Sequence, residues 1–109
     1  MTVTIEVKAQ SGKTRELYQT LQALLPSMRE EKGCRDCRVS RDVEDGEVFM
    51  FSSDWDTKVS FEAYIYSDNG RVLLGAIKLL GESARFRMSS DACWKEIGAV
   101  TFKGPEDRQ

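Results

Sequence analysis

The sequence predicts an α+β domain in which helices cover one face of an antiparallel sheet. The first stretch alternates, with Val3, Ile5 and Val7 separated by polar residues, which is typical of a half-buried strand. Segments with helical periodicity then separate later stretches with strand periodicity. At 109 residues, with 40% hydrophobic and 31% charged residues, the chain has the composition of one globular domain.

The first helix is predicted from about Lys13 to Glu31. Pro26 lacks a backbone N–H, so we expect a kink or a restart near Leu25. Gly33 is expected to end the helix as a left-handed cap. The apolar residues recur at intervals of three and four and form one stripe along the helix: Leu17, Tyr18, Leu21, Leu24, Leu25 and Met28.

Two strands follow the first helix, joined by a hairpin turn at Asp45-Gly46. The second of these strands carries the consecutive apolar residues Val48-Phe49-Met50-Phe51. Side chains alternate along a strand, so Val48 and Met50 point to one face and Phe49 and Phe51 to the other. A strand that is apolar on both faces is predicted to lie near the middle of the sheet.

The pattern is completed by two helices and a last strand. We expect one helix from Thr57 to about Tyr66 and a second that begins at Ser67 or Asp68 and ends at Gly81. Ala84, Phe86 and Met88 then alternate with polar residues as in a strand. The order strand, helix, strand, strand, helices, strand is the ferredoxin-like pattern.

The end of the chain is harder to interpret. The stretch from Cys93 to Phe102 fits either a short helix or an arm that lies over a neighbour. We therefore expect one domain over residues 1–103 and a disordered tail over residues 104–109.

Helices on one face leave the other face of the sheet uncovered. Either the Phe49 and Phe51 pair or the Val48 and Met50 pair must then be exposed on that face. A second copy of the chain would bury the exposed pair through a two-fold contact. We expect a homodimer formed through this sheet face.

Charge and composition argue against several classes of function. A net charge of −2 and an isoelectric point near 5.2 disfavour a nucleic-acid or anionic-membrane partner. The longest apolar run, Val72 to Leu80, is interrupted by Lys78 and is too short to span a bilayer. No apolar export signal precedes the first strand, so a cytoplasmic location is expected. The absence of histidine removes the commonest general base, metal ligand and proximal haem ligand.

Cys34 and Cys37 form a C-x-x-C pair, which raises the alternatives of zinc binding and redox chemistry. A zinc site would need two more ligands, and only Cys93 and carboxylates remain. A redox pair works best at a helix N-terminus, whereas this pair follows a helix and leads into a strand. Residues three apart in an extended strand also face opposite sides. We therefore favour two unremarkable thiols over a thiol-based redox protein.

Several short motifs resemble those of one known family. They are Gly33-Cys34 at the end of the first helix, Phe49-x-Phe51, Trp55 at the strand end, Phe61-Glu62-Ala63, and the stretch from Ser67 to Ala76. Over roughly residues 2–90 the chain thereby resembles the antibiotic biosynthesis monooxygenase (ABM) family, which includes small quinol monooxygenase-like proteins. The resemblance implies a dimeric α+β barrel with a pocket between sheet and helices in each protomer. It also implies oxygenation of phenols or quinols by molecular oxygen with neither metal nor flavin, so we expect no cofactor and no metal.

The resemblance also implies site residues. Many members carry histidine in an F-x-x-H motif, where this chain has Phe61-Glu62-Ala63-Tyr64. Tyr64, Arg71 and Asn69 are the candidate catalytic residues. Tyr64 could donate a hydrogen bond to a substrate oxygen, and it is a poor base at pH 7 unless a cation such as Arg71 lowers its pKa. The candidate substrate-binding residues are Phe49, Phe51, Trp55, Phe61 and Leu73. Structural interpretations stay open, in which Trp55 and Tyr64 are core residues and Arg71 pairs with Asp68.

Two functional hypotheses result. The first is a cofactor-independent monooxygenase that oxidises a small aromatic, a quinol or a polycyclic phenol, with molecular oxygen. The alternative is a non-catalytic module of the same dimeric fold that binds a small apolar molecule.

Overall fold

The computed structural model describes residues 1–89, 91 and 93–97 and confirms the predicted fold class. Three helices cover one face of the sheet: α1 (Thr14–Arg29), α2 (Lys58–Ile65) and α3 (Asp68–Leu80). The strands are β1 (Thr2–Ala9), β2 (Cys34–Arg41), β3 (Val48–Trp55), β4 (Gly81–Met88) and the two-residue β5 (Lys95–Glu96). They form one antiparallel sheet in the order β2-β3-β1-β4-β5, in which the first four strands have the ferredoxin-like arrangement.

The core lies between the helices and one face of the sheet. Ile5 pairs with Phe51 on one side and with Phe86 on the other, so these three side chains share a face. All three are buried, and so are Val3, Val7 and Phe49 on the same face, whereas Val39, Ala84 and Met88 are partly buried. Because β3 is flanked by β1 and β2, its predicted central position is confirmed.

The opposite face of the sheet, called the open face below, carries the alternate side chains of each strand, which point away from the helices. Phe49 and Phe51 turn toward the helices, whereas Val48 and Met50 lie on the open face and are half-buried. The surroundings are charged, since Arg85 Nε lies 2.6 Å from Glu6 Oε1 and Lys8 Nζ lies 3.4 Å from Asp45 Oδ2. The uncovered apolar pair is therefore Val48 and Met50.

A short segment crosses the edge of the open face. β5 pairs with β4, and the guanidinium carbons of Arg85 and Arg87 lie 4.3 and 4.8 Å from the centre of the Trp94 ring. Of the interval from Cys93 to Phe102, the structure describes residues 93–97. These residues contain the short strand β5 and no helix. The predicted domain end at residue 103 and the tail 104–109 lie outside the described residues.

α1 passes through Pro26 without a break, so the predicted restart near Leu25 is wrong. Pro26 lies on the exposed side of the helix. The carbonyl that loses its intrahelical partner is that of Gln22, and Gln22 is an exposed residue as well. On the exposed side of a helix, solvent can supply the missing hydrogen bond. The buried stripe formed by Leu17, Leu21 and Met28 holds the helix on the sheet.

A side chain caps the start of both α2 and α3, and the cap of α3 is one of the two residues predicted. Thr57 caps α2 by accepting a hydrogen bond from Ser60 N at 3.1 Å. Ser67 rather than Asp68 caps α3, with its Oγ accepting from Gly70 N at 3.2 Å. No helix in the described part of the chain has the length and apolar character that a membrane span requires.

Gly33, between α1 and β2, has the predicted left-handed conformation, with φ of 88°. The prediction that it caps α1 is wrong, because the helix ends at Arg29 and its C-cap is Glu30. A Cβ at this position would collide with the Ser60 side chain and lie 2.7 Å from Asp56 Oδ1. The glycine therefore allows the start of β2 to approach the N-terminus of α2.

Replacing Gly33 with alanine is predicted to be far more costly than the same change at Gly12. Gly12 also has positive φ, but a Cβ there meets nothing within 4 Å. Gly12→Ala should lower the free energy of unfolding by about 1 to 2 kcal/mol through backbone strain alone. Gly33→Ala should lose roughly 2 kcal/mol more, because packed neighbours must move. Urea unfolding of both variants measures the difference, and equal losses would contradict the close approach.

Candidate functional site

The candidate site forms where β3 ends and α2 packs against the sheet. Trp55, the last residue of β3, is buried, and its Nε1 donates a hydrogen bond to Ser53 Oγ at 2.8 Å. Its ring centre lies 5.9 Å from that of Phe61 in an edge-to-face arrangement and 5.5 Å from that of Tyr64. Trp55, Phe61 and Tyr64 are called the aromatic cluster below.

The predicted substrate-binding residues all lie on the helix-facing side of the sheet, but they do not form one group. Trp55 and Phe61 belong to the aromatic cluster, and Phe51 and Leu73 are buried in the same core. Phe49 is six residues before Trp55, roughly 20 Å along the strand. It packs instead against Tyr18, at 6.0 Å between ring centres. All five side chains are at most 2% exposed, so they form a packed wall.

Tyr64 is buried, and its environment favours the neutral phenol. Burial raises the pKa of the Tyr64 hydroxyl well above its usual value, and the nearby Cys37, Glu31 and Cys34 raise it further. The condition under which Tyr64 would act as a base, a pKa lowered by a cation such as Arg71, is therefore not met. At neutral pH the hydroxyl keeps its proton and can donate a hydrogen bond, but it cannot serve as a base.

Arg71 and Asn69 are exposed residues in the first turn of α3. Arg71 is exposed, and its Nη1 lies 3.9 Å from Asp68 Oδ1. Asn69 Nδ2 donates a hydrogen bond to Glu31 Oε2 at 3.2 Å, which links the start of α3 to the end of α1. Since Glu31 is one of the groups acting on Tyr64, Asn69 belongs to the rim around that tyrosine.

The sequence did not predict that Cys34 and Cys37 would lie beside Tyr64. The expectation that they face opposite sides of a strand is wrong, because a β-bulge interrupts the pairing between Cys34 and Asp36. Cys34 pairs with Trp55 and Cys37 with Ser53, so both turn toward the helices. Nothing in the residue pattern marks a bulge, which becomes visible only in the register of the strands.

The two thiols are protonated at neutral pH. Burial raises the pKa of Cys37 to about 12, and burial also raises the pKa of the half-buried Cys34. Both cysteines are free. The thiols therefore cannot act as nucleophiles in this state.

A separate cavity of about 430 Å³ lies on the open face, away from the aromatic cluster. Val48, Ala84 and Ile97 supply its apolar lining, and Lys8, Arg85 and Glu96 are among its charged residues. It is called the open-face cavity below. Between sheet and helices, where the pocket was predicted, the side chains of the aromatic cluster are buried.

Comparison with known proteins identifies related structures. The chain is similar to PA3566 from Pseudomonas aeruginosa, with 20% identity, a TM-score of 0.72, and coverage of 79% of this chain and 87% of that one. It is similar to SO0527 from Shewanella oneidensis, with 20% identity, a TM-score of 0.73, and coverage of 79% and 84%. A crystal structure described as an antibiotic biosynthesis monooxygenase shares 15% identity, a TM-score of 0.74, and coverage of 84% and 97%.

At these identities the solved structures show the fold alone, and no curated protein matches the chain. The family itself is shown by a sequence model. The model of the antibiotic biosynthesis monooxygenase family matches residues 1–69, more than half of the 109 residues. The matched segment contains the aromatic cluster, both strand cysteines and Asn69. The chain therefore belongs to the antibiotic biosynthesis monooxygenase family.

Proposed function

We propose that this protein is a cofactor-independent monooxygenase that oxidises a small aromatic, a quinol or a polycyclic phenol, with molecular oxygen. The observation that carries the proposal is the aromatic cluster, in which the Tyr64 phenol stands beside Trp55 at a ring-centre distance of 5.5 Å. Aromatic side chains of this kind hold a planar ring, and a neutral hydroxyl among them can orient its oxygen. Family membership supports the reaction class.

The proposed reaction needs no external reductant. In the balance SH₂ + O₂ → SO + H₂O, one oxygen atom enters the substrate, and the other leaves as water with two substrate hydrogens. An ionised phenol or quinol transfers the first electron to oxygen directly. The protein then has to position the substrate and stabilise the charge that develops on its oxygen.

We assign to Tyr64 the role of hydrogen-bond donor to the substrate oxygen. Burial raises the pKa of this hydroxyl, so it stays protonated at the pH values at which the reaction would run. The chain has no histidine to act as a base. We propose that the substrate ionises through its own acidity, which favours phenols whose pKa lies near neutrality.

Entry of a substrate requires the helices beside the aromatic cluster to move apart. Gly70 packs so closely on the end of α2 that a Cβ there would collide with the carbonyl oxygens of Tyr64 and Ile65. This contact joins α2 to α3 at the rim where Asn69 and Arg71 lie. We propose that the junction opens for the substrate, with the Arg71 guanidinium attracting an anionic phenolate.

We further propose that two copies associate through the open face and that the protein is cytoplasmic. Val48 and Met50 are the apolar residues that such an association would bury. The ionic pairs of Glu6 with Arg85 and Lys8 with Asp45 would form part of the polar rim.

The alternative is a non-catalytic module that binds a small aromatic at the same cluster. Two observations favour it: the cluster is packed, and the raised pKa of Tyr64 keeps this hydroxyl from acting as a base. A binding module predicts ligand-dependent thermal stabilisation without turnover.

Oxygen consumption by chelator-treated protein separates the two functions. Uptake above the autoxidation blank is expected for some members of a panel of dihydroquinones and polycyclic phenols. Tyr64→Phe keeps the ring but removes the donor, so kcat/KM should fall about 100-fold. Tyr18→Phe is the matched control and should be unchanged, because Tyr18 lies in α1 and packs on Phe49 near the opposite end of β3 from Trp55. Thermal stabilisation by panel members without any uptake would favour the binding module.

The pH dependence of the reaction should follow the substrate. Because the Tyr64 hydroxyl remains protonated, kcat/KM should rise with pH as each substrate ionises and level off above that substrate's pKa. Two substrates whose phenol pKa values differ should therefore give profiles displaced by the same difference. A single apparent pKa common to both would indicate a base on the protein and would contradict the assignment.

A charge on the open face should separate the proposed dimer. Met50 pairs across the sheet with Glu6, so the ammonium of Met50→Lys has a carboxylate beside it and the protomer should stay folded. The same charge would be buried in the dimer, which should shift sedimentation toward the monomer at micromolar concentration. Val43→Lys, at a fully exposed position, is the control. A monomeric wild-type protein would overturn the proposal.

A further inference from the structure

Three sulfur-bearing side chains gather beside the aromatic cluster. Met28 at the end of α1 and Cys37 in β2 are both buried, and Cys37 Sγ lies 3.0 Å from Met28 Sδ. Cys34 packs against the same core from its edge and is half-buried. Met28, Cys34 and Cys37 are called the sulfur group below, and the proposed oxygenase chemistry uses none of them.

The β-bulge brings the two thiols of the sulfur group close together. Three residues of regular strand would separate the Cα atoms of Cys34 and Cys37 by about 10 Å and turn the side chains to opposite faces. Here they pair with Trp55 and Ser53, which are two residues apart on the partner strand. The separation is therefore roughly 6.6 Å, with both side chains on the same face. Two thiolates at this spacing can share one cation, at metal–sulfur distances near 2.3 Å.

The donors define which cation would fit. Within residues 1–89, 91 and 93–97, no three His, Cys, Asp or Glu side chains converge in a way that could hold a metal ion. Zn²⁺ would lack the four such ligands that it usually takes. Two thiolates and a thioether are instead the soft donor set that Cu(I) prefers and that hard cations reject.

The charged groups around the two thiols act in opposite directions. The charge of Asp36 raises the pKa of both thiols, and Asp54 and Glu31 also raise that of Cys34. Arg29 lowers the pKa of Cys37.

Arg29 Nε and Nη2 donate hydrogen bonds to the Cys37 carbonyl oxygen at 3.2 and 2.9 Å. This clamp holds β2 against α1, and its positive charge acts on the Cys37 thiol. The guanidinium would offset the single negative charge of the complex. Cys34, at the edge of the core, gives a cation its way in from solvent.

We propose that Met28, Cys34 and Cys37 form a binding site for Cu(I). The step is Cu⁺ + 2 RSH → [Cu(SR)₂]⁻ + 2 H⁺, with the Met28 thioether as the third donor and no change of oxidation state. The two protons go to solvent, so binding should be tighter at higher pH. This inference is independent of the proposed oxygenase activity.

Competition with bicinchoninate under anaerobic, reducing conditions tests the site. The folded full chain should remove one Cu(I) per molecule from the coloured bicinchoninate complex. Cys34→Ser should abolish this transfer, and this change at the edge of the core should leave the chain folded. Met28→Leu keeps the apolar volume and removes the sulfur. It should weaken Cu(I) binding by about tenfold or more, since even outer-shell partners change metal affinity on that scale.

Cys93→Ser is the matched control, because Cys93 is an exposed thiol on the segment that crosses the open face. It should bind Cu(I) as the wild type does. Cu(I) should also raise the thermal midpoint of the wild type and of Cys93→Ser, but not that of Cys34→Ser. Wild-type protein that takes no Cu(I) from bicinchoninate would overturn the proposal. Unchanged binding in Cys34→Ser or Met28→Leu, or loss of binding in Cys93→Ser, would overturn it as well.

Discussion

The burial of Trp55 at the end of β3 is the interaction on which the rest of the site depends. Its indole packs on Tyr64 and Phe61, its Nε1 bonds to Ser53, and Cys34 pairs with it across the sheet. Truncating such a buried aromatic costs about 3 to 5 kcal/mol. That is a large part of the roughly 5 to 15 kcal/mol by which a typical domain is stable. Trp55 therefore both lines the candidate site and stabilises the fold.

The environment of Tyr64 follows from the same packing. Water is excluded by the rings around it, and burial therefore raises the pKa of its hydroxyl. A histidine at this position could act as a base, whereas the protonated hydroxyl of Tyr64 can donate a hydrogen bond but cannot act as a base. If the protein is an oxygenase, its chemistry is limited to stabilising charge on a substrate that ionises by itself.

The fold could be predicted from the sequence because local patterns and tertiary packing agree. The alternation in β1 and β4, the apolar stripe of α1 and the Ser67 cap each lead to the observed element. Pro26 was the exception, since its effect on α1 depends on whether the freed carbonyl faces water. That depends on how the helix sits on the sheet, which a local pattern does not contain.

Less of the candidate site could be predicted. Trp55, Phe61 and Tyr64 come together as the motifs implied, but their close packing and the raised pKa of Tyr64 are products of the tertiary structure. The β-bulge is the clearest case. β2 has one more residue between Cys34 and Asp36 than the partner strand has opposite them, and this bulge turns Cys34 to the same face as Cys37. The amino-acid pattern of β2 gives no sign of the bulge, because it depends on the register of the pairing.

The central claim is that a small aromatic binds at the aromatic cluster and not in the open-face cavity. The chain has two tryptophans, Trp55 in the cluster and Trp94 on the open face. Anaerobic titration of Trp94→Phe with an active phenol, followed by Trp55 fluorescence, distinguishes the two places. The predicted result is that the phenol quenches Trp55 fluorescence saturably in Trp94→Phe. In Trp55→Phe, the fluorescence of Trp94 should not be quenched. Quenching of Trp94 alone would place the ligand on the open face and contradict the account.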